Sequence, residues 1–320
     1  MQKKDIGLLV LILVVGTVVA VINPRFLSPV NLANTANLVG LFGLFAIGQG
    51  FVIITGGIEL SVGSVIALLG VLFVDLTANA GLSWPLVFLL MLGLGVAIGL
   101  AHGLLITRLG MQPFIVTLCG LLIYRGVARF YTADATAGFN FGQSFPTLEW
   151  LTVGRTAGVP HSFVAMLVVA AVMWVVLHRS VFGRHLYAVG KNEEAARYAG
   201  IPTGRVIVAA YVICALLTAV AAVFFAMYTR SISPASHGSF YELYAIAAAV
   251  LGGFSLRGGE GSIVGVVLGA VLLQVLQNLV NLLGIPSSLN FAVMGSVILI
   301  GVLADQQFTE YRLRKAVQGR

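Results

Sequence analysis

Charged side chains are scarce in this 320-residue sequence, where Asp, Glu, Lys and Arg together make up only 9%. Soluble domains carry roughly 25% charged residues. The low charge, 59% hydrophobic residues and a mean hydropathy of +1.03 therefore exclude an ordinary soluble protein. The length is sufficient for about ten spans of ~20 residues with short connections. We predict an all-α membrane protein with about ten transmembrane helices, forming a single domain over residues 1–320.

Cysteine is also nearly absent, since the chain contains only Cys119 and Cys214, each inside an apolar run. A disulfide framework is therefore not expected, and small apolar packing roles suit both residues better. His102 has no second ligand at a suitable spacing, so we predict no metal site.

A phosphate-binding loop is missing as well. The chain has two glycine-rich tracts, GGIELSVGS at 56–64 and GGFSLRGGEGS at 252–262. Neither carries the Lys-Ser/Thr pair that follows the glycines of a nucleotide loop. We therefore predict that the chain is not an ATPase and binds no cofactor. Glycines at these points allow unwound backbone, which membrane proteins tolerate where it lines a cavity or packs against protein.

Apolar runs occupy most of the sequence. We predict ten spans from them, at 6–22, 35–55, 61–77, 86–106, 113–130, 163–177, 206–228, 243–253, 262–283 and 289–304. A polar loop of about thirty residues separates the fifth span from the sixth. This division places thirteen of the eighteen Lys and Arg residues on the side that holds both termini. The positive-inside rule makes that side cytoplasmic.

The two halves of the chain resemble each other. Glycines recur every four residues in the fourth and ninth spans: Gly95, Gly99 and Gly103, then Gly261, Gly265 and Gly269. Such spacing lets helices approach closely where lipid removes the hydrophobic drive to associate. Because the two spans cross in opposite directions, the likeness predicts an inverted repeat, as in many transporters. Shared glycine-rich composition is the alternative explanation.

A charged stretch at 178–205 separates the sixth and seventh spans and holds seven charged side chains. Within it, Asn192 is suited to cap a helix, Glu193 precedes Arg197 by four residues, and Gly200 is suited to end the helix. The pattern predicts a helix of about seven residues, which is too short to persist alone in water. The helix therefore needs a packing partner.

Few polar residues lie near the middle of the predicted spans. Glu59, in the first glycine-rich tract, either caps the third span at the interface or takes part in a pathway. Gln274, Gln277, Asn278 and Asn281 share one helix face, which either binds a polyhydroxy solute or holds two helices together. The candidate pathway residues are Gln49, Glu59, Ser61, Ser64, His102, Gln274, Asn278 and Asn281.

Four motifs occur in the order GGIELSVGSVIAL, PFIVTLCGLLIYRG, FGRHLYAVGKNEEAARYAGI and LGGFSLRGGEGSIVGVVLGA. With these separations, the chain resembles the permease subunits of ABC importers for monosaccharides of the ribose, xylose and arabinose class. The similarity extends from about residue 31 to residue 305. Two positions depart from that family, which usually has Asp in place of Glu59 and Asn in place of His102.

The resemblance implies a permease of the bacterial inner membrane that performs no chemistry itself. Its implied partners are a second permease copy, identical or not, a cytoplasmic ATPase subunit that holds ATP and Mg, and a periplasmic sugar-binding protein. The short helix would then be the coupling element that the ATPase receives, with Ala195, Ala196 and Tyr198 on its exposed face. The implied coupling residues are Arg184, Tyr187, Asn192, Glu193, Glu194, Ala195, Ala196, Arg197 and Gly200.

Two other functions stay open at this point. An ABC permease for branched-chain amino acids or a metal chelate would have a similar organisation. An ion-coupled secondary carrier would need no ATPase, but it should place paired acids or unwound ion sites in the membrane. The sequence offers only Glu59, near the edge of a span, for that role.

Overall fold

The computed structural model describes residues 3–286 and, beyond them, Leu289, Ala292, Gly295, Ser296 and Leu299. Residues 3–286 fold into α1 (Lys3–Ile22), α2 (Pro29–Ile54), α3 (Val62–Ala78), α4 (Trp84–Leu109), α5 (Pro113–Tyr131), α6 (Pro146–Val153), α7 (His161–His178), α8 (Val181–Lys191), α9 (Glu193–Tyr198), α10 (Thr203–Thr229), α11 (Tyr241–Leu251) and α12 (Ile263–Leu282). Two antiparallel ribbons pair β1 (Ala137–Gly138) with β4 (Ser231–Ile232) and β2 (Arg155–Thr156) with β3 (Val159–Pro160).

Seven of the described helices are long and apolar enough to cross a membrane, and the shorter α3 and α11 are apolar as well. These nine helices coincide within a few residues with the first nine predicted spans. An all-α membrane protein is therefore confirmed. The tenth predicted span, 289–304, lies almost entirely outside the described residues.

Helix α2 lies at the centre of the described part of the chain. All of its residues from Val39 to Ile54 are buried, and α7, α10, α11 and α12 pack around it. A helix that is apolar on every side either lies inside a protein core or faces lipid, and α2 lies inside the core. The outer helices instead leave one side exposed: only 17% of the most apolar window is buried in α1 and in α7.

Helix α4 packs against α10 through its glycines. A Cβ atom added at Gly99 would lie 2.6 Å from the Cα atom of Val212, and one at Gly103 would lie 2.7 Å from the Cα atom of Val208. The two backbones therefore approach as the glycine spacing predicts. Such close packing makes α4 and α10 a tightly joined pair.

Substitution at Gly99 tests this packing. We expect Gly99→Ala to destabilise the protein by about 1–3 kcal/mol, because the new methyl group must push two backbones apart. The matched control is Gly93→Ala in the same helix, where an added Cβ atom has no neighbour within 4 Å. Thermal unfolding of both variants in one detergent gives the comparison. Equal melting temperatures would contradict the close approach.

The predicted polar loop between the fifth and sixth spans contains regular structure. Helix α6 forms within it, and the Arg230 side chain ties the loop to the end of α10 by donating to Glu149 Oε1 at 2.7 Å. The backbone N–H of Phe145 and the Arg230 guanidinium hold the pKa of Glu149 below its ordinary value. The carboxylate therefore stays ionised and keeps this ion pair at neutral pH.

Candidate functional site

The first glycine-rich tract forms an irregular segment, residues 55–61, between α2 and α3. Unwound backbone inside a membrane needs partners for its N–H and C=O groups. Thr117 of α5 donates to the carbonyl oxygen of Ile58 at 3.2 Å, and Tyr211 of α10 donates to the same oxygen at 3.5 Å. The Gln49 amide of α2, with its nitrogen turned toward the Glu59 carbonyl, pairs with both backbone groups of Glu59 at 3.2 Å. Side chains of three helices thus provide hydrogen-bond partners for the backbone groups of Ile58 and Glu59.

The Glu59 side chain joins this segment to two further positions. Its Oε1 atom accepts hydrogen bonds from the backbone N–H and the hydroxyl of Ser61, each at 2.7 Å. Its Oε2 atom lies 2.7 Å from Nδ1 of His102, whose Nε2 atom lies 2.9 Å from the Tyr124 hydroxyl. We call Ser61, Glu59, His102 and Tyr124 the polar chain.

The polar chain is buried, since Glu59 is 5% exposed and His102 is 2% exposed. Burying a carboxylate is costly unless it is hydrogen-bonded or paired. A neutral imidazole satisfies every contact, because Nδ1–H donates to Glu59 and Nε2 accepts the Tyr124 proton. Glu59 is therefore not a solvated interfacial acid, and the two positions that depart from the resembled family contact each other directly.

The predicted pathway residues separate into two groups. Gln49, Glu59, Ser61 and His102 come together around the irregular segment, and the Ser64 hydroxyl donates to the Ser61 carbonyl at 2.8 Å.

The second group lies along α12, away from this segment. Asn278 exchanges two hydrogen bonds with Asn31, at 2.8 and 3.0 Å, so it joins α12 to the start of α2. Asn281 is exposed. Gln274 is 2% exposed, and its Oε1 atom has no hydrogen-bond partner. At Asn278 the geometry favours the helix-joining alternative over solute binding.

A second buried acid escaped the sequence reasoning. Glu242 at the start of α11 is 7% exposed, and its carboxylate packs against Gly63 of α3, where an added Cβ atom would lie 2.7 Å from Glu242 Oε2. The expectation that Glu59 is the only acid available in the membrane is therefore wrong. Glu242 precedes a short apolar run in the sequence, which makes it look like an ordinary helix-capping acid.

Arg125 of α5 is a second site residue that the sequence analysis did not single out. Its Nη1 atom donates to the carbonyl oxygens of Pro234 at 2.9 Å and His237 at 2.6 Å. Arg125 therefore fastens the irregular segment before α11. In that segment Gly238 approaches α3 so closely that a Cβ atom added at Gly63 would lie 1.8 Å from the Gly238 carbonyl oxygen.

The charged stretch forms the predicted short helix. Helix α9 has six residues, Asn192 Oδ1 accepts from the backbone N–H of Ala195 at 2.9 Å, and Arg197 donates to Glu193 at 2.8 Å. Gly200 follows with a φ of +82°, which glycine adopts readily. Local capping chemistry thus fixes this helix, as expected.

The exposed face of α9 differs from the predicted one. Ala196 is only 5% exposed and belongs to the hydrophobic core, whereas Tyr198 is 85% exposed and Ala195 is exposed too. The assignment of Ala196 to the exposed face is therefore wrong. Ala196 points inward, and Glu193, three residues before it on the same side of the helix, accepts from Thr203 of α10 at 3.2 Å although its side chain is 45% exposed. We call Glu194, Ala195 and Tyr198 the α9 face.

Helix α8 connects α9 to the end of α2 and to the second glycine-rich tract. A Cβ atom added at Gly190 would lie 1.7 Å from the Ile54 carbonyl oxygen at the end of α2 and 2.4 Å from the Gly259 nitrogen. Tyr187 donates to the Gly261 carbonyl at 2.7 Å, and burial raises the pKa of this tyrosine to about 12, so it remains a donor at physiological pH. The Arg184 side chain is exposed on the same helix.

A groove of about 1410 Å³ lies beside α9. Arg197 and Thr203 line one part of it, and Gly57 and Tyr211 of the irregular-segment region line another. Among the described residues no group of three His, Cys, Asp or Glu side chains is placed to hold a metal ion.

Comparison with known proteins bears on this arrangement. The family model described as "Branched-chain amino acid transport system / permease component" matches residues 31–302. The ribose import permease RbsC of Escherichia coli K12 is 38% identical over 309 residues, which cover 96% of this chain and 94% of that protein. No solved structure matches.

Two further relatives are similar over nearly the whole chain. RbsC of Bacillus subtilis 168 is 39% identical over 312 residues, covering 96% of this chain and 94% of its own length. The galactofuranose transporter permease YtfT of Escherichia coli K12 is 35% identical over 295 residues, covering 92% and 84% respectively. The resemblance carried by the four motifs is confirmed, and the chain belongs to this family of transport-system permease components.

Proposed function

We propose that this chain is the transmembrane permease subunit of an ATP-driven ABC importer for a monosaccharide. The observation that carries the proposal is the similarity to ribose import permeases over 96% of the chain. The chain forms the translocation path and performs no chemistry itself. ATP and Mg are held by a separate ATPase subunit, and a periplasmic binding protein delivers the sugar.

In this proposal the protein crosses the bacterial inner membrane ten times, with both termini in the cytoplasm. It works as a dimer with an identical or a related permease copy. The seven long apolar helices and the two shorter ones support the multi-pass arrangement. Residues 1–320 form one permease domain, and its cytoplasmic loop, 178–205, couples it to the ATPase.

An inverted repeat fits the arrangement of helices. Long α2 is followed by an irregular segment and the shorter α3, and long α10 is followed by an irregular segment and the shorter α11. The second segment meets the first turn of α3 where Gly238 contacts Gly63. In each half a glycine-bearing helix follows, α4 packing on α10 and α12 packing on α2. Transporters built from inverted repeats place such broken helices at the solute path.

Coupling then follows a chain of contacts. A displacement of α9 by the ATPase moves α8, which sits directly on the end of α2 and on the second glycine-rich tract through Gly190. An exposed ion pair between Lys191 and Glu260, at 2.7 Å, also joins α8 to the second glycine-rich tract. Packed helices exchange between a few discrete arrangements rather than deforming continuously. Movement of the loop 178–205 would therefore reach α2 in the first half of the chain and the second glycine-rich tract in the other half.

The rival functions are less well supported. The family description names branched-chain amino acids, whereas the relatives with the highest similarity reported above are named for ribose. For an ion-coupled carrier, buried acids would have to bind the coupling ion. Instead both carboxylate oxygens of Glu59 contact Ser61 and His102. Asp5 accepts from the Ser262 hydroxyl at 3.3 Å, and Glu242 packs against Gly63.

Reconstitution tests the proposed function. We expect labelled ribose to enter proteoliposomes only when the chain, its ATPase, the binding protein and enclosed ATP are all present, and a protonophore to leave uptake unchanged. A parallel assay with labelled leucine separates a sugar importer from an amino-acid importer. Uptake that needs no ATPase and collapses with the protonophore would establish a secondary carrier instead.

The isolated chain should neither bind nor hydrolyse ATP. The absence of a phosphate-binding loop motivates this expectation. Equilibrium binding of a fluorescent ATP analogue and phosphate release, both measured on the purified chain in detergent, check it. Hydrolysis that co-elutes with the chain through successive columns would show that it carries a nucleotide site.

A further inference from the structure

The polar chain joins elements that otherwise pack on different neighbours. Helix α4 packs chiefly on α10, and α5 packs chiefly on α3. Glu59 lies on the irregular segment, His102 on α4 and Tyr124 on α5. The hydrogen bonds from Glu59 to His102 and from His102 to Tyr124 therefore connect three elements by side chains alone.

The site is shaped around the imidazole ring. A Cβ atom added at Gly120 of α5 would lie 2.7 Å from Nε2 of His102, closer than side chains tolerate. Glycine at this position leaves the space that the ring occupies. The His102 ring also faces Tyr211, with ring centroids 6.4 Å apart. These contacts fix where the ring lies and hence where Glu59 is held.

The polar chain is made or lost as a unit. Hydrogen bonds within a buried network depend on one another, so removal of one partner leaves the other buried and unsatisfied. Hydrophobic packing between α4 and α10 changes little when a side-chain hydrogen bond breaks. A device of this kind holds one conformation and releases it without disturbing the packed helices around it.

We propose that Glu59 and His102 act together as positioning residues that lock the irregular segment 55–61 in the conformation described here and release it during the transport cycle. This inference rests on the proposed function. The locked segment lies between the end of α2, which α8 contacts, and the first turn of α3, which Glu242 contacts. Release would let the ATPase-driven movement of α8 reach the point where the two halves meet.

A double-mutant cycle tests the lock. The variants are Glu59→Leu, His102→Leu and the double variant, each reconstituted with the ATPase. The readouts are the unfolding temperature, and ATP hydrolysis with and without the sugar-loaded binding protein. Each single variant should lower the unfolding temperature and reduce the stimulation of hydrolysis by the binding protein roughly fivefold or more, the lower end of typical allosteric coupling.

The double variant separates positioning from packing. Removing both buried partners should recover much of the lost unfolding temperature, but the stimulation should stay low because the lock is absent. Glu59→Gln should retain most of the stimulation, since an amide still contacts Ser61 and His102. Thr218→Ala is the control, because this buried hydroxyl bonds only within α10 to the Cys214 carbonyl; it should retain wild-type stimulation.

The outcomes are decisive in either direction. Normal stimulation per folded molecule in His102→Leu, or recovery of stimulation together with stability in the double variant, would overturn the lock and leave a packing role. If the wild-type chain itself shows no ATP-dependent uptake of sugar, the proposed function fails and not the lock. The two failures are therefore distinguished by the wild-type measurement.

Discussion

A Tyr198→Ala variant is expected to lose the ATPase and most ATP-driven uptake while it folds and inserts normally. Tyr198 is the largest side chain of the α9 face and is 85% exposed, so its removal costs the chain little internal packing. Buried tyrosines at an interface commonly contribute ~2 kcal/mol or more, which corresponds to roughly thirtyfold weaker binding. Recovery of the ATPase on a tagged permease, and uptake in proteoliposomes, give the two measurements.

The control for this variant is Phe130→Ala. Phe130 is 89% exposed and lies in the last turn of α5, at the end of that span that faces away from the cytoplasm in the proposed topology. In the proposed topology, its truncation removes a comparable aromatic surface on the side opposite the ATPase. The ATPase should be recovered in full with Phe130→Ala. Full recovery with Tyr198→Ala as well would show that the ATPase docks elsewhere.

A Gly190→Ala variant is expected to uncouple ATP hydrolysis from uptake. Gly190 lies inside α8 at an ordinary helical conformation, so alanine suits the backbone there. The added methyl group, however, would lie 1.7 Å from the Ile54 carbonyl oxygen. Helix α8 must then move away from the end of α2, and the path from α9 to α2 and to the second glycine-rich tract is broken. The ratio of sugar imported to ATP hydrolysed should fall to near zero.

Gly126→Ala in α5 is the matched control. It makes the same substitution inside a helix, but at a position where an added Cβ atom has no neighbour within 4 Å. It should preserve the transport ratio and the yield of assembled protein. Where Gly190→Ala assembles poorly, Lys191→Ala provides a second probe, because Lys191 joins α8 to the second glycine-rich tract through its ion pair with Glu260. Solvent-exposed ion pairs contribute only ~0–1 kcal/mol, so this variant folds and its transport ratio can be read. A normal ratio in both variants would exclude α8 as the coupling element.

The sequence predicted those features that depend on local chemistry. Span-length apolar runs mark helices directly, because the membrane leaves the backbone no other way to satisfy its polar groups. Helix α9 was predicted from Asn192, the Glu193–Arg197 spacing and Gly200, because each of these signals acts within a few residues of the helix. The glycine tracts were likewise expected to allow unwound backbone, and residues 55–61 and 252–262 are irregular.

Contacts between distant residues could not be predicted in this way. Glu59 and His102 are 43 positions apart, and nothing in the spacing of either indicates the other. Glu242 and Gly63 come into contact from the two halves of the chain, and the local sequence of neither residue indicates the other. The inward face of α9 was missed because six residues contain too few apolar positions to define a side. Helical periodicity groups Gln274 with Asn278 but does not show what that face meets.

Cross-linking from Ala195 tests most directly whether α9 receives the ATPase. Ala195 belongs to the exposed α9 face, and Ala195→Cys changes its size very little. The background should carry Cys119→Ser, because Cys119 is exposed while Cys214 is buried. With a short bifunctional thiol reagent and an ATPase carrying a cysteine at its permease-facing groove, we predict a covalent permease–ATPase product from position 195 and none from Phe130→Cys. A co-purifying ATPase that gives no product from position 195 would contradict coupling through α9.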